Sequence, residues 1–366
     1  MQFAHIYTIP EALAISKVIL LALFAFVLAM AITPFWANFL YKFKIGIRIK
    51  KTSVDGEKLS FLNKLHQRKE GTPTMGGVIV WGTVLIMAIS FSFLAPWLSE
   101  VTQNVWISRL DFLSRSQTWL PLFALTATAV LGLSDDYMSI RKIGSNKGGG
   151  MRFLWRMIWL LAIASLGAWW FYSKLGWDEV HIPAVGDFAI GLWYIPLFIF
   201  IITASAISSN ETDGLDGLNA GILVQAFFAF AVIAFFQGSM DLAAFCAVIS
   251  GALLAFLWFN FYPARFFMGD TGAISLGATL GVTAMLTNSF LVLPFVVFIY
   301  LIESSSVIIQ LFSKRFLKRK VFLSAPIHHH FEAKGWPETK VTVRFWIING
   351  VMAILGILIG ILGGGH

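Results

Sequence analysis

The sequence predicts an all-α integral membrane protein with about ten transmembrane helices. Hydrophobic residues make up 58% of the chain and charged residues only 13%, which is more apolar than a soluble domain of this size. The apolar residues occur in continuous runs, each long enough to cross a bilayer as a helix. Because these runs do not alternate with polar residues, the pattern argues against a closed β-barrel.

Ten apolar runs are separated by polar segments, and we predict each to be a membrane span. The first run follows Lys17 and continues past Pro34, which favours a span over a cleaved signal peptide. No internal repeat or low-complexity linker divides the chain, so we expect a single domain over residues 1–366. The predicted spans are 17–40, 74–97, 118–134, 154–173, 192–209, 218–237, 242–260, 272–288, 290–312 and 343–363.

Basic residues are strongly biased toward one side of these spans. Of the 27 Lys and Arg residues, 23 lie in or beside the loops at 41–73, 135–153, 210–217, 261–271 and 313–342. The positive-inside rule makes those loops cytoplasmic and places both termini on the opposite side. Orientation and attraction to anionic headgroups then explain the net charge of +8, and we expect no nucleic acid partner. On the outer side, residues 177–193 are predicted to form a small β-hairpin.

Acidic residues and histidines collect at the cytoplasmic ends of the predicted spans. A carboxylate within or next to a span is costly, and this makes such a residue a functional candidate. Basic, glycine-containing segments at 66–77 and 141–150 lie on the same side. The candidates are Asp135, Asp136, Asn210, Asp213, Asp216, Asp270, Glu303, His328, His329 and His330.

Some of these candidates also have a purely structural interpretation. Asp135 and Asp136 can be an ordinary helix-end pair, and adjacent helical residues point about 100° apart, so at most one faces a central site. The polar residues at 210, 213 and 216 either share one face of a helical turn or form a capped turn with neighbouring glycines. Asp270 can be a helix N-cap, or a hard oxygen ligand for a magnesium-bound phosphate.

The position of these residues favours an enzyme over a transporter or a channel. A transporter usually places its ionisable residues near the bilayer midplane within inverted repeats, and a channel lines a pore with them. Carboxylates beside lysines and glycine turns at one membrane face are instead the set that metal-assisted phosphoryl transfer requires.

Five motifs carry a specific resemblance: GTPTMGG, LSDDY, TDGLDGLN, FNFYPARFFMGDTG and APIHHHFEAKGW. Together they resemble the phospho-N-acetylmuramoyl-pentapeptide transferases, within the polyprenyl-phosphate N-acetylhexosamine-1-phosphate transferase superfamily. The resemblance implies Mg²⁺-dependent transfer of phospho-MurNAc-pentapeptide from UDP-MurNAc-pentapeptide to undecaprenyl phosphate, giving lipid I and UMP. It also implies a multi-pass protein of the bacterial inner membrane, a cytoplasmic active site and a homodimer. The alternatives are a sister enzyme that uses UDP-GlcNAc and, more remotely, a membrane transporter.

The same resemblance assigns roles to individual residues. Asp270 matches the magnesium ligand, Asp135 and Asp136 match a catalytic aspartate pair, and His328 matches a catalytic histidine. Phe267 would stack on uracil. The chain departs from the family pattern at Glu211 and in the length of the loop at 44–65. Positions matching substrate-binding residues are Lys69, Asn210, Asp213, Asp216, Asn260, Phe267, Gln310, His329 and His330.

The three consecutive histidines are predicted to form part of a loop over the magnesium-diphosphate site. Adjacent residues point in different directions, so a dedicated metal site made by the run itself is disfavoured. We expect His328 and His329 to donate hydrogen bonds to phosphate or sugar oxygens and His330 to hold the shape of the loop. Glu303 marks either a helix break or a partner for a lysine. Direct attack by the lipid phosphate is favoured, and a covalent aspartyl intermediate remains the alternative.

Overall fold

The computed structural model describes residues 9–46, 69–113, 118–144 and 149–363. The protein is mostly helical, which confirms the predicted all-α class, and most of the loop at 41–73, including residues 47–65, lies outside the described ranges. The helices are α1 (Ile9–Lys42), α2 (Gly77–Thr102), α3 (Val105–Ser108), α4 (Trp119–Arg141), α5 (Phe153–Lys174), α6 (Tyr194–Thr212), α7 (Leu218–Phe236), α8 (Met240–Asn260), α9 (Asp270–Leu286), α10 (Leu293–Val296), α11 (Phe298–Phe312), α12 (Ile327–Ala333) and α13 (Glu338–Leu362).

Every predicted span coincides with a helix or, in one case, with a pair of helices. Among the described residues, seven helices are long and apolar enough to cross a membrane: α1, α2, α5, α6, α7, α8 and α13. Helices α4, α9 and α11 fall outside that set, and α9 and α11 have only 17 and 15 residues. The chain is therefore a multi-pass membrane protein, and the number of ten spans stays a prediction.

The predicted hairpin is present between α5 and α6. Strand β1 (Glu179–Ile182) pairs antiparallel with β2 (Gly186–Ala189). The imidazole Nδ1 of His181 lies 2.7 Å from the carboxylate of Asp187 across the two strands. The hairpin closes the end of the molecule opposite to the acidic candidates.

Helix α9 lies at the centre of the helix packing. All its residues from Thr271 to Leu286 are buried, and it packs against α2, α4, α6 and α7. Most of its side chains are small, which lets neighbouring backbones approach closely without a large hydrophobic residue between them. The hydroxyls of Ser275, Thr279 and Thr283 donate to carbonyls one turn earlier, so these buried polar groups are satisfied.

Two glycines fix where the first turn of α9 sits against its neighbours. A Cβ on Gly132 of α4 would lie 2.4 Å from the backbone oxygen of Asp270. A Cβ on Gly77 of α2 would lie 2.3 Å from the Cα of Gly272. Any side chain at either position would push the helices apart, so the close packing sets the position of Asp270.

The segment with three histidines is a short helix, α12, where the sequence led us to expect a loop. Pro326 directly precedes the helix, a position that proline tolerates because it needs no hydrogen bond there. Gly335 follows with a φ of 89°, and its N–H donates to the carbonyl of Glu332 at 2.8 Å. Proline before and glycine after the segment therefore delimit a helix of about two turns.

Candidate active site

The N-terminus of α9 is the centre of the candidate site. Asp270 is its first residue, and Gly269 before it has a φ of 74°, in the left-handed region. The carboxylate of Asp136 accepts the backbone N–H of Asp270 at 3.2 Å and of Thr271 at 3.1 Å. It thereby satisfies two donors that have no partner within the helix. Asp136 is buried, and these two hydrogen bonds hold the start of α9.

Asp135 faces a different part of the site, as expected for adjacent residues of a helix. One of its carboxylate oxygens accepts the N–H of Met151 at 2.5 Å, and the other accepts Nη1–H of Arg156 at 3.2 Å. Arg156 also donates to Asp270 at 3.0 Å, while the amide of Asn210 donates to the second Asp270 oxygen at 2.6 Å. The Asp270 side chain is 28% exposed, so a ligand can reach it.

Asp213 brings a further carboxyl group to the same place from the turn between α6 and α7. It accepts a hydrogen bond from the backbone N–H of Gly269. Burial, followed by the charges of Asp270 and Asp216, raises the pKa of Asp213 to about 7. The carboxyl group is therefore held in surroundings that already carry negative charge.

The pKa values of Asp135 and Asp136 are raised in the same way, by burial and by neighbouring negative charge. Burial, reinforced by a hydrogen bond and by the charge of Asp270, raises the pKa of Asp135 to about 6. Burial and Asp270 also raise the pKa of Asp136 well above its ordinary value. Arg156 is one cation beside these carboxyl groups, so the cluster favours binding of additional positive charge.

The residues around Asp270 fit a magnesium ion bound together with phosphate. The donors are carboxylate and amide oxygens, which hard divalent cations prefer. In the described part of the chain, no three acidic, histidine or cysteine side chains form a ready metal cage. Magnesium commonly uses one or two carboxylates and completes its shell with water and substrate phosphate, so an open acidic site suits it. Asp270 is the exposed carboxylate that would hold the ion.

A second polar cluster surrounds Lys69. Its ammonium lies 2.7 Å from a carboxylate oxygen of Asp216 and 2.5 Å from one of Glu338. The same Glu338 oxygen accepts the backbone N–H of Asp216 at 2.6 Å. Burial disfavours the ammonium form, but the two carboxylates outweigh that effect and the pKa of Lys69 is raised. The lysine is therefore a fixed positive charge.

Phe267 and Asn260 lie next to this cluster. The Lys69 Nζ is 5.6 Å from the centre of the Phe267 ring, a cation–π distance. The backbone of Phe267 is held by hydrogen bonds with Pro73 and Gly76, both at 2.8 Å. Asn260 accepts the N–H of Gly217 at 3.2 Å and donates to the carbonyl of Phe266 at 2.9 Å. Asn260 thus holds the backbone of Gly217 and Phe266 in place beside Phe267.

His328 is buried against Glu303 of α11. The imidazole Nδ1 lies 3.1 Å from a Glu303 carboxylate oxygen, and the two side chains are 1% and 0% exposed. Burial disfavours the imidazolium form, but the carboxylate outweighs it and the pKa of His328 is raised. The Nε2 edge faces Gly214, where a Cβ would lie only 2.3 Å away. Glu303 therefore has a histidine partner, where the sequence had suggested a helix break or a lysine.

The other two histidines have local partners. The Nδ1 atom of His329 lies 2.7 Å from a carboxylate oxygen of Glu332, one turn along the same helix. The Nδ1 atom of His330 accepts the backbone N–H of Leu323 at 3.1 Å. The contact of His330 is the kind expected of a residue that holds the shape of this segment.

Gln310 also bonds to the polypeptide. Its side-chain oxygen accepts the N–H groups of Val321 and Phe322 at 3.1 and 3.0 Å, and its amide donates to the Phe322 carbonyl at 3.0 Å. The three bonds fix the segment that leads into α12. Gln310 therefore acts on the site through the position of the histidines.

The turn at 213–216 contacts all three groups of residues described above: those around Asp270, Lys69 and His328. Asp213 contacts the start of α9, Gly214 lies against His328, and Asp216 binds Lys69. The predicted alternative of a capped turn is therefore the one observed, since α6 ends at Thr212 and α7 begins at Leu218. The start of α9, α12 and the segment before α2 therefore each contact this turn, and the sequence had predicted that such segments lie at the same membrane face.

Two residues at the centre of these contacts were missed at the level of sequence. Arg156 is the one charged residue inside the predicted span 154–173, and a charge in a span is itself a functional signal. Glu338 lies in the predicted loop 313–342 and was given no role, whereas in the structure it follows Pro337 as the first residue of α13. Its pairing with Lys69 depends on a contact between positions 269 residues apart.

Comparisons with known proteins agree with this architecture. Residues 118–288, from α4 through α9, match the model of glycosyl transferase family 4. Residues 69–79, which begin at Lys69, match signature 1 of the phospho-N-acetylmuramoyl-pentapeptide-transferases. Helices that bring carboxylates and a lysine to one end of a membrane bundle thus define a membrane-embedded transferase.

Curated relatives refine that class along nearly the whole chain. A phospho-N-acetylmuramoyl-pentapeptide-transferase of Chloroflexus aurantiacus is 38% identical, covering 95% of this chain and 91% of the relative. Proteins of the same name from Clostridium novyi and Geobacillus thermodenitrificans are 36% and 35% identical over 94% and 92% of this chain, and cover 97% and 95% of those relatives. The chain belongs to the phospho-N-acetylmuramoyl-pentapeptide-transferase family, and it is a phosphotransferase enzyme.

Proposed function

We propose that the enzyme transfers phospho-MurNAc-pentapeptide from UDP-MurNAc-pentapeptide to undecaprenyl phosphate, releasing UMP and forming lipid I for peptidoglycan synthesis. The observation that carries this proposal is the meeting of Asp270, Asp135 and Lys69 around the 213–216 turn, in a chain of this family. Asp270 and its neighbours supply negative charge for a metal, and Lys69 and Phe267 offer a cation and an aromatic ring suited to a nucleotide.

We propose Mg²⁺ as the cofactor, held by Asp270. When bound, Mg²⁺ neutralises the diphosphate of the donor, so that a second anion can approach it. Arg156 lies between Asp135 and Asp270 and would contribute further positive charge. Phe267 would stack on the uracil, while Lys69 contacts the nucleoside portion of the donor.

Asp135 would orient the acceptor phosphate and take its residual proton. A phosphate monoester has a second pKa of about 6, so the acceptor is largely dianionic near pH 7 and needs little general-base assistance. The raised pKa of Asp135, about 6, matches that group, which permits proton exchange between them. An acceptor oxygen would then attack the phosphorus bonded to MurNAc, and the P–O bond to UMP would break.

Direct attack makes a clear prediction about intermediates. The enzyme is incubated with Mg²⁺ and labelled UDP-MurNAc-pentapeptide without lipid acceptor, quenched and separated from free substrate. We expect no label on the protein, because the attacking group is the lipid phosphate. A labelled phospho-MurNAc-protein adduct formed at Asp135 would instead establish the covalent route.

The location of the enzyme follows from the same reasoning. We propose ten membrane spans, periplasmic termini, a cytoplasmic active site and insertion in the bacterial inner membrane as a homodimer. The positive-inside bias supports the orientation, and family membership supports the assembly. Labelling of single cysteines at Glu100 and Lys318 from either side of vesicles tests the orientation, and the mass of the detergent-solubilised protein tests the dimer.

Release of UMP is the direct test of the activity. Purified enzyme in detergent is expected to release UMP from UDP-MurNAc-pentapeptide only when both undecaprenyl phosphate and Mg²⁺ are present. The same assay with UDP-GlcNAc should give no UMP. Turnover with UDP-GlcNAc in place of UDP-MurNAc-pentapeptide would assign the chain to the sister activity.

Asp270→Asn tests the metal assignment. The substitution keeps the size of the side chain and its contact with Asn210 while removing the negative charge, so Mg²⁺-dependent turnover is expected to fall at least about a thousandfold. Mg²⁺ should also raise the midpoint of thermal unfolding of the wild type and not that of the variant. Near-normal activity of Asp270→Asn would show that another group holds the metal.

A further inference from the structure

The predicted span 290–312 is interrupted between α10 and α11. Val297 separates the two helices with a φ of −119° and a ψ of 51°, outside the helical region. The N–H of Tyr300 donates to the carbonyl of Val297 at 2.9 Å, three residues back, instead of to the carbonyl of Val296. Backbone groups on both sides of Val297 therefore need partners from outside the helix.

Asn349 of α13 supplies those partners. Its side-chain oxygen accepts the N–H of Ile299 at 3.3 Å, and its amide donates to the carbonyl of Val296 at 3.1 Å. The same amide donates to the side-chain oxygen of Gln225 on α7 at 2.9 Å. Asn349 is fully buried, and one side chain thus bonds both sides of the break.

Helix α13 also packs directly against the break. Gly356 lies two turns after Asn349 on the same face of α13, and a Cβ there would lie 2.9 Å from the Cγ2 atom of Val296. A buried asparagine often bonds to a neighbouring membrane helix simply as part of the packing. Here, however, its partners are two backbone groups that a continuous α-helix would have paired by itself. The contacts of Asn349 therefore fix the direction in which α11 leaves the break.

The direction of α11 matters because this helix holds the segment with three histidines. The Glu303 carboxylate lies 3.1 Å from the imidazole of His328 and accepts the backbone N–H of His328 at 3.4 Å. At 1.5 Å per residue, a change in direction of about 10° at Val297 would move the backbone at Glu303 by about 1.5 Å. Such a displacement is enough to take Glu303 beyond hydrogen-bond distance of His328.

We propose that Asn349 is a positioning residue of the transferase, which fixes the break at Val297 and thereby holds Glu303 of α11 against His328. The inference rests on the proposed function for its effect on turnover, because His328 is one of the residues assigned to that site. Asn349 touches no reacting group, and its influence passes through the direction of α11.

Steady-state kinetics test the effect on turnover. Asn349→Leu removes the hydrogen bonds and keeps roughly the size of the side chain. It is expected to lower kcat for UMP release at least about tenfold and to change the KM for the UDP donor less than about twofold, because Lys69 and Phe267 lie outside α11 and α13. Asn349→Gln keeps the amide group and should retain more of the turnover. The matched control, Gln225→Leu, removes the bond between α7 and Asn349 but leaves both bonds to the break, so kcat should stay near that of the wild type.

A double-mutant cycle distinguishes positioning from a general loss of packing. If Asn349 acts through Glu303, the double variant Asn349→Leu/Glu303→Gln should be about as slow as Glu303→Gln alone. Losses of kcat that multiply would overturn the proposal, and so would a normal kcat in Asn349→Leu or in Glu303→Gln. Asn349→Ala replaces Asn349→Leu in the same cycle if the leucine variant does not fold.

Spin labels test the geometry without turnover. They are attached to cysteines substituted for Ile308 of α11 and Ile354 of α13, which are 67% and 68% exposed, in a protein whose buried Cys246 is replaced by alanine. Asn349→Leu is expected to shift or broaden the distance between the labels by about 3 Å, the displacement of Ile308 for a change in direction of about 10°. Gln225→Leu should leave the distance unchanged.

The same unchanged distance in Asn349→Leu would refute the positioning role, whatever the kinetics show. Failure of the wild type to release UMP with any polyprenyl phosphate would instead refute the proposed function. The label distances need no substrate, so the two failures are distinguishable.

Discussion

The two aspartates of the LSDDY motif differ in function because the helix points them in different directions. Asp136 accepts two N–H groups at the start of α9, whereas Asp135 accepts hydrogen bonds from Met151 and Arg156. Identical side chains one residue apart therefore separate into one that holds the first turn of α9 and one that shares Arg156 with Asp270; only the second is proposed to meet substrate. The same rule applies to the histidines, of which His328 alone is fully turned into the protein.

Substitution of each aspartate by asparagine tests this division. Asp136→Asn retains one acceptor oxygen but turns an amide donor toward a second N–H group, and should lower the free energy of unfolding by about 1–2 kcal/mol. Asp135→Asn should change stability little and lower turnover about a hundredfold or more. Denaturation in detergent and the UMP assay report the two effects. The division fails if Asp136→Asn is as stable as the wild type.

The charge on Asp213 should make stability depend on pH. Its pKa in the folded protein, about 7, is above the ordinary value of 3.8, so its contribution to stability is fully present below about pH 4 and is lost as pH rises through 7. In metal-free buffer, Asp213→Asn should therefore raise the thermal midpoint at pH 8 and have a smaller effect at pH 5. Glu100→Gln, an exposed position, is the control. A destabilising effect of Asp213→Asn at pH 8 would contradict the direction of the shift.

At the scale of elements, α12 is held in place by contacts with elements distant in sequence. The His328 ring lies between Glu303 of α11 and the backbone of Gly214. A second contact, from Gln310, fixes the chain just before the helix. The short helix owes its position to these partners, since a seven-residue helix is not stable by itself in water.

Gly214→Ala tests how tightly α12 fits the turn. The new methyl group would lie 2.3 Å from Nε2 of His328, so the imidazole or the turn must move. We expect a loss of about 2–3 kcal/mol of stability and at least a tenfold fall in turnover. Gly82→Ala on α2, where a Cβ would meet nothing within 4 Å, is the matched control and should stabilise the helix by up to about 1 kcal/mol. Equal effects of the two variants on stability and turnover would show that the close contact between Gly214 and His328 does not determine either quantity.

At the scale of the whole molecule, the Lys69 cluster connects the beginning, middle and end of the chain. Lys69 precedes α2, Asp216 lies between α6 and α7, and Glu338 begins α13. The lysine charge lies between two carboxylates that are otherwise brought close together. The cluster therefore joins three segments of the helix bundle through one lysine, which is also the residue proposed to contact the donor.

A double-mutant cycle separates these two roles of Lys69. Lys69→Gln leaves Asp216 and Glu338 as neighbouring like charges, and should cost about 2–4 kcal/mol of stability and raise the KM for the UDP donor. Adding Glu338→Gln should recover part of the stability without recovering donor affinity, because the lysine is still absent. The proposal for Lys69 would be wrong if the double variant recovered both.

Much of the fold could be predicted from the sequence, because the apolar runs are long and the loops between them are polar. The all-α class, the hairpin near residues 179–189 and the gathering of acidic residues at one end are all present in the structure. Less predictable were α12, which looks like a loop because its polar residues show no helical period, and Glu303, whose partner His328 is 25 residues away. Short polar segments give no local signal of the kind that long apolar segments give.

The sequence by itself determined the class of protein, its transferase family and the identity of the polar residues at the site. Those properties follow from composition and from motifs that are continuous in the chain. The tertiary structure decided which contacts these residues make: it bonded Asp135 to Arg156 and Asp136 to the first N–H groups of α9, paired His328 with Glu303, and added Arg156 and Glu338. Such roles depend on contacts between distant positions, and the geometry of helix packing alone fixes those contacts.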